Sequence, residues 1–148
     1  MSVVLKLTGE APGSSDGSRL RALYYDILAG GTRVGTCELR PETTWTARWS
    51  GQVSYTVFPP YRGHRYALEA LRLLCGRSKT LGLDHLTVTC RPENAASRRT
   101  LELAGAELVE IANVPKEHPL IQSKVFRVCV YHLQTAIYQE AKAEGSCV

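Results

Sequence analysis

The residues best suited to chemistry form one run, Tyr61-Arg62-Gly63-His64-Arg65-Tyr66-Ala67. It lies between a strand-like stretch ended by Pro59-Pro60 and a helix-like stretch that begins near Ala67. A turn from strand to helix gathers unpaired amide protons and the positive end of the helix dipole at one point, which favours phosphate. Gly63 withholds a side chain where a ligand must come close, and Arg62, His64 and Arg65 add donors for phosphate oxygens. On these residues alone the run is either a pyrophosphate site or a solvated basic helix start.

The flanking elements follow from periodicity and punctuation. Gln52 to Phe58 is rich in aromatic and β-branched residues and reads as a strand stopped by the two prolines. Ala67, Ala70, Leu71, Leu74 and Leu81 recur at helical spacing, with Glu69, Arg72 and Lys79 on other faces and Gly82 at the end. His85 to Cys90 alternates as a strand. Asn94 caps a helix reaching Ala104, which Gly105 closes, and Glu107 to Ile111 and Val125 to Leu133 are two further strands. Upstream, Val3 to Leu7 reads as a short strand and Gly9 to Ser18 as a mobile loop. Leu20 to Leu28 and Arg33 to Arg40 form a hairpin about Gly30-Gly31, and Pro41 to Ser50 is a connection. The order predicts an α/β (α+β) fold with a mixed sheet, whose parallel part comes from the strand-helix-strand unit between Gln52 and Cys90. Residues 135–148 form a tail, read as a short helix, a dimer arm or a disordered segment.

With 148 residues, 44% hydrophobic and 22% charged, the chain fits one soluble domain, large enough to bury about 70% of its unfolded surface without cross-links. A net charge of +4 with scattered basic residues argues for a small anionic ligand and against a nucleic acid. Five cysteines without a Cys-x-x-Cys pair or a matching histidine spacing predict no metal site. The odd count, with no secretory leader at Met1 to Leu7, predicts reduced thiols in the cytoplasm. No apolar run approaches the ~20 residues of a membrane span.

Several pieces together resemble the GNAT superfamily of N-acetyltransferases, whose acetyl-CoA motif reads Arg or Gln, two residues, Gly, one residue, then Gly or Ala. Arg62 and Ala67 match its ends, and Arg65 stands at its central glycine. Pro60-Tyr61-Arg62-Gly63 followed by Tyr66-Ala67-Leu68-Glu69-Ala70-Leu71 looks like the branch that contains the ribosomal-protein N-terminal acetyltransferases. Leu81-Gly82-Leu83, Asn94-Ala95-Ala96-Ser97 and Leu103-Ala104-Gly105 continue that pattern, so the resemblance spans roughly Gly51 to Glu110.

The resemblance implies a fold in which two strands splay apart and pantetheine lies against the first. It implies backbone contacts to pantetheine and acetyl at Tyr55, Thr56 and Val57. Arg62, Gly63, His64, Arg65, Tyr66, Ala67 and Leu68 would hold the pyrophosphate, with Asn94 and Ser97 hydrogen-bonding nearby. The amide of Val57 becomes the oxyanion donor, and Glu38, Tyr55 and His118 are the candidates for a base. Many relatives carry a tyrosine seven residues after the asparagine, where Leu101 stands, and Thr89 occupies another family position. The function implied is acetyl-CoA-dependent transfer to a primary amine, on a small molecule or a protein, by direct attack in a ternary complex. The alternative is a non-catalytic CoA-binding regulatory or scaffolding module, in either case a monomer or homodimer.

Overall fold

In the computed structural model, which describes residues 2–16 and 19–136, β1 (Val3–Ala11) pairs antiparallel with β2 (Ala22–Ala29). Val3 and Leu5 are buried while Val4 and Lys6 face solvent, the alternation of a half-covered strand. The predicted loop from Gly9 is corrected here: β1 continues to Ala11, because Ala22, Leu23 and Tyr24 offer ladder partners and a register shift between Leu7 and Gly9 carries the chain past the glycine. Gly30 and Gly31, with φ of 58° and 82°, make the tight turn from β2 to β3 (Thr32–Leu39). β3 then pairs with β4 (Val53–Val57), completing a four-stranded sheet in the order β1-β2-β3-β4.

Between β3 and β4 the tryptophan-rich connection winds into a single turn, α1 (Ala47–Ser50). After β4 come a 3-10 turn at Pro59–Tyr61 and α2 (Tyr66–Thr80), which Gly82 ends with φ of 87°. The remaining elements are β5 (His85–Cys90), α3 (Ala95–Leu103), β6 (Glu107–Asn113) and β7 (Arg127–Gln134). These three strands form a second antiparallel sheet in the order β5-β7-β6. Leu71, Leu74 and Cys75 of α2 join residues of both sheets in one core. Val114, Val128 and Val130, with Trp49 and Leu120, make a smaller cluster.

The step from β4 to β5, where the sequence predicts parallel pairing, is where the sheet parts. No ladder joins the two strands. They are clasped at one point. The Gln52 amide donates to the Thr87 carbonyl at 2.7 Å, and the Gln52 side-chain oxygen accepts from the Thr87 amide at 2.8 Å. Beside this, the Thr89 hydroxyl donates to the Trp49 carbonyl at 2.9 Å. Gly51, with φ of 76°, keeps this corner tight, since a Cβ there would sit 3.0 Å from the Thr89 amide nitrogen. Arg40 secures the same corner, donating to the Gly51 carbonyl and the Ser54 hydroxyl. Beyond the clasp β4 and β5 diverge, the splay that the family resemblance implies.

Gln52 is 1% exposed, so the bonds it makes to Thr87 have no water to replace them. Gln52→Leu leaves the Thr87 amide without its acceptor and is expected to cost about 1–3 kcal/mol, lowering Tm by several degrees in a thermal melt.

Candidate active site

The splay opens a cleft of about 630 Å³. Its floor and walls bring together Tyr55, Thr56 and Val57 of β4, Arg62, Gly63, Arg65, Tyr66 and Ala67 of the following turn, and Asn94 and Ser97 at the start of α3. In the β3–β4 ladder, Gln52 and Phe58 bond to the β3 side. By alternation Ser54 and Thr56 do likewise, so the backbone groups of Val53, Tyr55 and Val57 point away from β3, into the splay. The Val57 carbonyl accepts from Arg62 Nε at 3.0 Å. Arg62 thereby folds its guanidinium against the strand end and fixes the turn.

α2 begins at Arg65 without a side-chain cap, so its first amide protons are left for a ligand. Arg65 takes φ of 61° and ψ of 27°, the left-handed conformation open to glycine at little cost. An arginine at the motif's central glycine therefore keeps the glycine shape. Gly63 has φ of 93° with open space where a Cβ would be, so the backbone lies bare beside the cleft. His64 stacks on Tyr66 and does not line the cleft, and Leu68 is buried in the core, so only its backbone is placed to serve a ligand.

α3 supplies the opposite wall. Asn94 Oδ1 accepts from the Ser97 amide at 3.1 Å, an N-cap, while the same residue lines the cleft. The Ser97 hydroxyl meets the Tyr55 phenol at 3.0 Å, tying α3 to β4 across the opening. Burial raises the phenol's pKa, against a smaller opposing effect of the Ser97 bond. Ala96, Thr100 and Leu103 also line the wall; helical spacing i, i+4, i+7 was the signal for them. The adjacent arginines separate: Arg99 lines the cleft, and Arg98 turns to the Tyr131 phenol at 3.1 Å. Leu101 is 0% exposed and faces the core.

Two candidate bases, and the threonine at the other family position, are engaged elsewhere. Glu38 pairs with Arg40 at 2.7 Å and does not line the cleft. His118 is 1% exposed; its Nδ1 accepts from the Leu120 amide at 3.0 Å and its Nε2 lies 2.9 Å from the Thr46 carbonyl. Packed near Trp45 and Trp49, it pins the late loop to the segment before β4. The Thr89 hydroxyl is committed to Trp49.

The cleft thus lies between an open strand edge and an uncapped helix start. Residues 10–107 match the acetyltransferase (GNAT) domain model. The chain belongs to the GNAT acetyltransferase family. No curated protein matches this GNAT domain significantly. Solved structures that share its fold include RimJ of Mycobacterium smegmatis in complex with CoA-disulfide, at 21% identity and TM-score 0.61 over 83% of this chain and 61% of that one. RimL, a ribosomal-protein alpha-N-acetyltransferase, matches at 15% identity and TM-score 0.57 over 76% of this chain and 60% of its own. The microcin C7 self-immunity acetyltransferase MccE, in complex with acetyl-CoA and AMP, matches at 15% identity and TM-score 0.57 over 76% and 61%. The GNAT domain thus spans 60–61% of the length of these three structures.

The left-handed backbone at Arg65 costs ~1–2 kcal/mol, against which glycine carries ~0.5–1 kcal/mol of extra unfolded-state freedom. Arg65→Gly is therefore expected to stabilise the domain by up to about 1 kcal/mol in urea titration, while the β-branched Arg65→Val destabilises it.

Proposed function

We propose that this chain binds acetyl-CoA in the β4–α2 cleft and transfers its acetyl group directly to a primary amine. The observation that carries this reading is the meeting of two unsatisfied backbone surfaces. The inward edge of β4 is shaped to pair with an extended chain such as pantetheine. The uncapped, glycine-shaped start of α2 is shaped to receive a pyrophosphate. The residues present fit the group, and acetyl-CoA, when bound, supplies the activated acyl thioester.

The chain's own part is orientation and proton management. The Val57 amide points into the splay and serves as donor to the charge that develops on the acyl oxygen. With Leu101 in the core, Tyr55 is the phenol on the splayed strand that lines the cleft and bonds to the α3 wall. Burial keeps it protonated at neutral pH, so it acts as proton donor to the departing sulfur, held in place by Ser97. Cys90, with its thiol pushed up to about 11 by burial, offers no thiolate at neutral pH. A covalent acetyl-cysteine route is thereby disfavoured relative to direct attack. Glu38 and His118 are bound elsewhere, so the acceptor enters as the neutral amine and sheds its proton to water.

The same two commitments favour a second reading, a CoA-binding module without turnover. Acetyl-CoA at 100 times its Kd should stabilise the wild-type chain by ~2.7 kcal/mol in a thermal melt, and Arg62→Glu should abolish that shift. Tyr55→Phe should keep the shift and lower kcat about 100-fold. An unshifted melt for the wild type sinks the cleft assignment. A shift without turnover of any amine selects the binding module.

A further inference from the structure

A second hollow, of about 220 Å³, lies on the other side of the turn that leads into α3. Glu93 lines this hollow and Asn94, the next residue, lines the cleft. Arg91, Lys124 and Arg127 surround it, with Phe126 between the last two. Arg91 follows the last residue of β5. Arg127 opens β7, whose Cys129 stands opposite Cys90, so the hollow sits at the open end of the splayed strand.

Three features bear on what it could hold. Arg33, Arg40 and Arg48 are each paired with a carboxylate. The side chains of Arg91, Lys124 and Arg127 have no hydrogen-bond or ion-pair partner among the described residues, leaving three cations around one carboxylate, Glu93. Lys124 has φ of 61° and shares with Arg65 alone, among the described non-glycine residues, a positive φ. That conformation closes the 3-10 turn Pro119–Ile121, where the Lys124 and Val125 amides donate to the Ile121 and Leu120 carbonyls, and it turns the chain so that Lys124, Phe126 and Arg127 line one hollow. Phe126 is 59% exposed, an aromatic face left in water beside the cations.

We propose that this hollow is an acceptor subsite that binds an anionic group, a carboxylate or a phosphate, carried by the amine to be acetylated, with Phe126 covering the acceptor's carbon stem. This rests on the acetyl-transfer reading and gives it a substrate class. The arginines supply planar donor forks and the lysine a point charge, the chemistry that holds oxyanions. A subsite one turn from the cleft selects acceptors by charge while leaving cofactor contacts untouched.

The test uses the full chain and two matched pairs of amines. One pair is the C-terminally amidated peptides Ser-Glu-Glu-Ala and Ser-Gln-Gln-Ala, each with a free N-terminus; the other is phosphoethanolamine and ethanolamine. In at least one pair the wild type should acetylate the anionic member with kcat/KM about tenfold or more above its neutral partner, and the pair with the larger ratio identifies the source. The triple variant R91Q/K124G/R127Q, in which glycine suits the positive φ, should bring both ratios to within about twofold of unity with acetyl-CoA Kd unchanged. Equal handling of both pairs by the wild type overturns the proposal. So does a triple variant that retains the preference, or one that weakens acetyl-CoA but not dephospho-CoA, since the cations then serve the cofactor's phosphate. If acetyl-CoA binds but no amine turns over, calorimetric titration of the same four amines into the acetyl-CoA-loaded protein decides. A preference for the anionic members that the triple variant loses supports the subsite while the transfer reading fails, and no preference overturns the subsite.

Discussion

The architecture depends on one clasp. Gln52 both donates to and accepts from Thr87, and these bonds replace the ladder that two adjacent strands would otherwise share. Had pairing continued along β4 and β5, every inward amide of β4 would be satisfied and there would be no edge for a ligand to meet. Had there been no clasp, the two sheets would be held by their shared core and by scattered contacts such as Tyr55 with Ser97 and His118 with Thr46. A single side chain that imitates a backbone partner lets the sheet stop, and everything in the cleft inherits its position from that stop. Gly51 and Arg40 exist in this arrangement to crowd the corner: one admits close approach, and the other anchors several backbone and side-chain oxygens at once.

The sequence showed the elements well where punctuation was strong. Gly30-Gly31, Gly82, Asn94 and Gly105 bracket elements within a residue or two of their observed ends, because the glycines stand at positive φ and the Asn94 side chain caps α3. Gly9 misled for the opposite reason. A glycine in a strand costs only a fraction of what the neighbouring ladder contributes, so the long-range pairing with Tyr24 overrode the local signal. The catalytic candidates divide: a long-range partner decided His118, whose ring meets the Thr46 carbonyl 72 residues away, whereas Glu38 is taken by Arg40 two residues on, an i, i+2 pairing that the strand period already offered.

The cleft itself was legible as a linked motif, its two arginines less so. Arg62 was expected as a phosphate ligand, and its guanidinium braces the end of β4. On α3, two adjacent arginines look equivalent in a string of letters, yet a helix rotates each residue by roughly a quarter turn or more, which sends Arg99 to the cleft and Arg98 to a phenol on β7. The bond between Tyr55 and Ser97 joins residues 42 positions apart and had no local signature.

Arg65 has a consequence beyond strain. A glycine at that place would reach the same dihedrals, but it would also visit their mirror images and much else before any ligand arrives. The freezing of that freedom would then be charged against affinity. An L-residue held in the left-handed region by its neighbours has few other states within thermal reach, so the turn before α2 keeps close to one shape, the shape that the proposed pyrophosphate contact calls for. The cost has been moved from the moment of association to the moment of folding, where the cooperative core can absorb it.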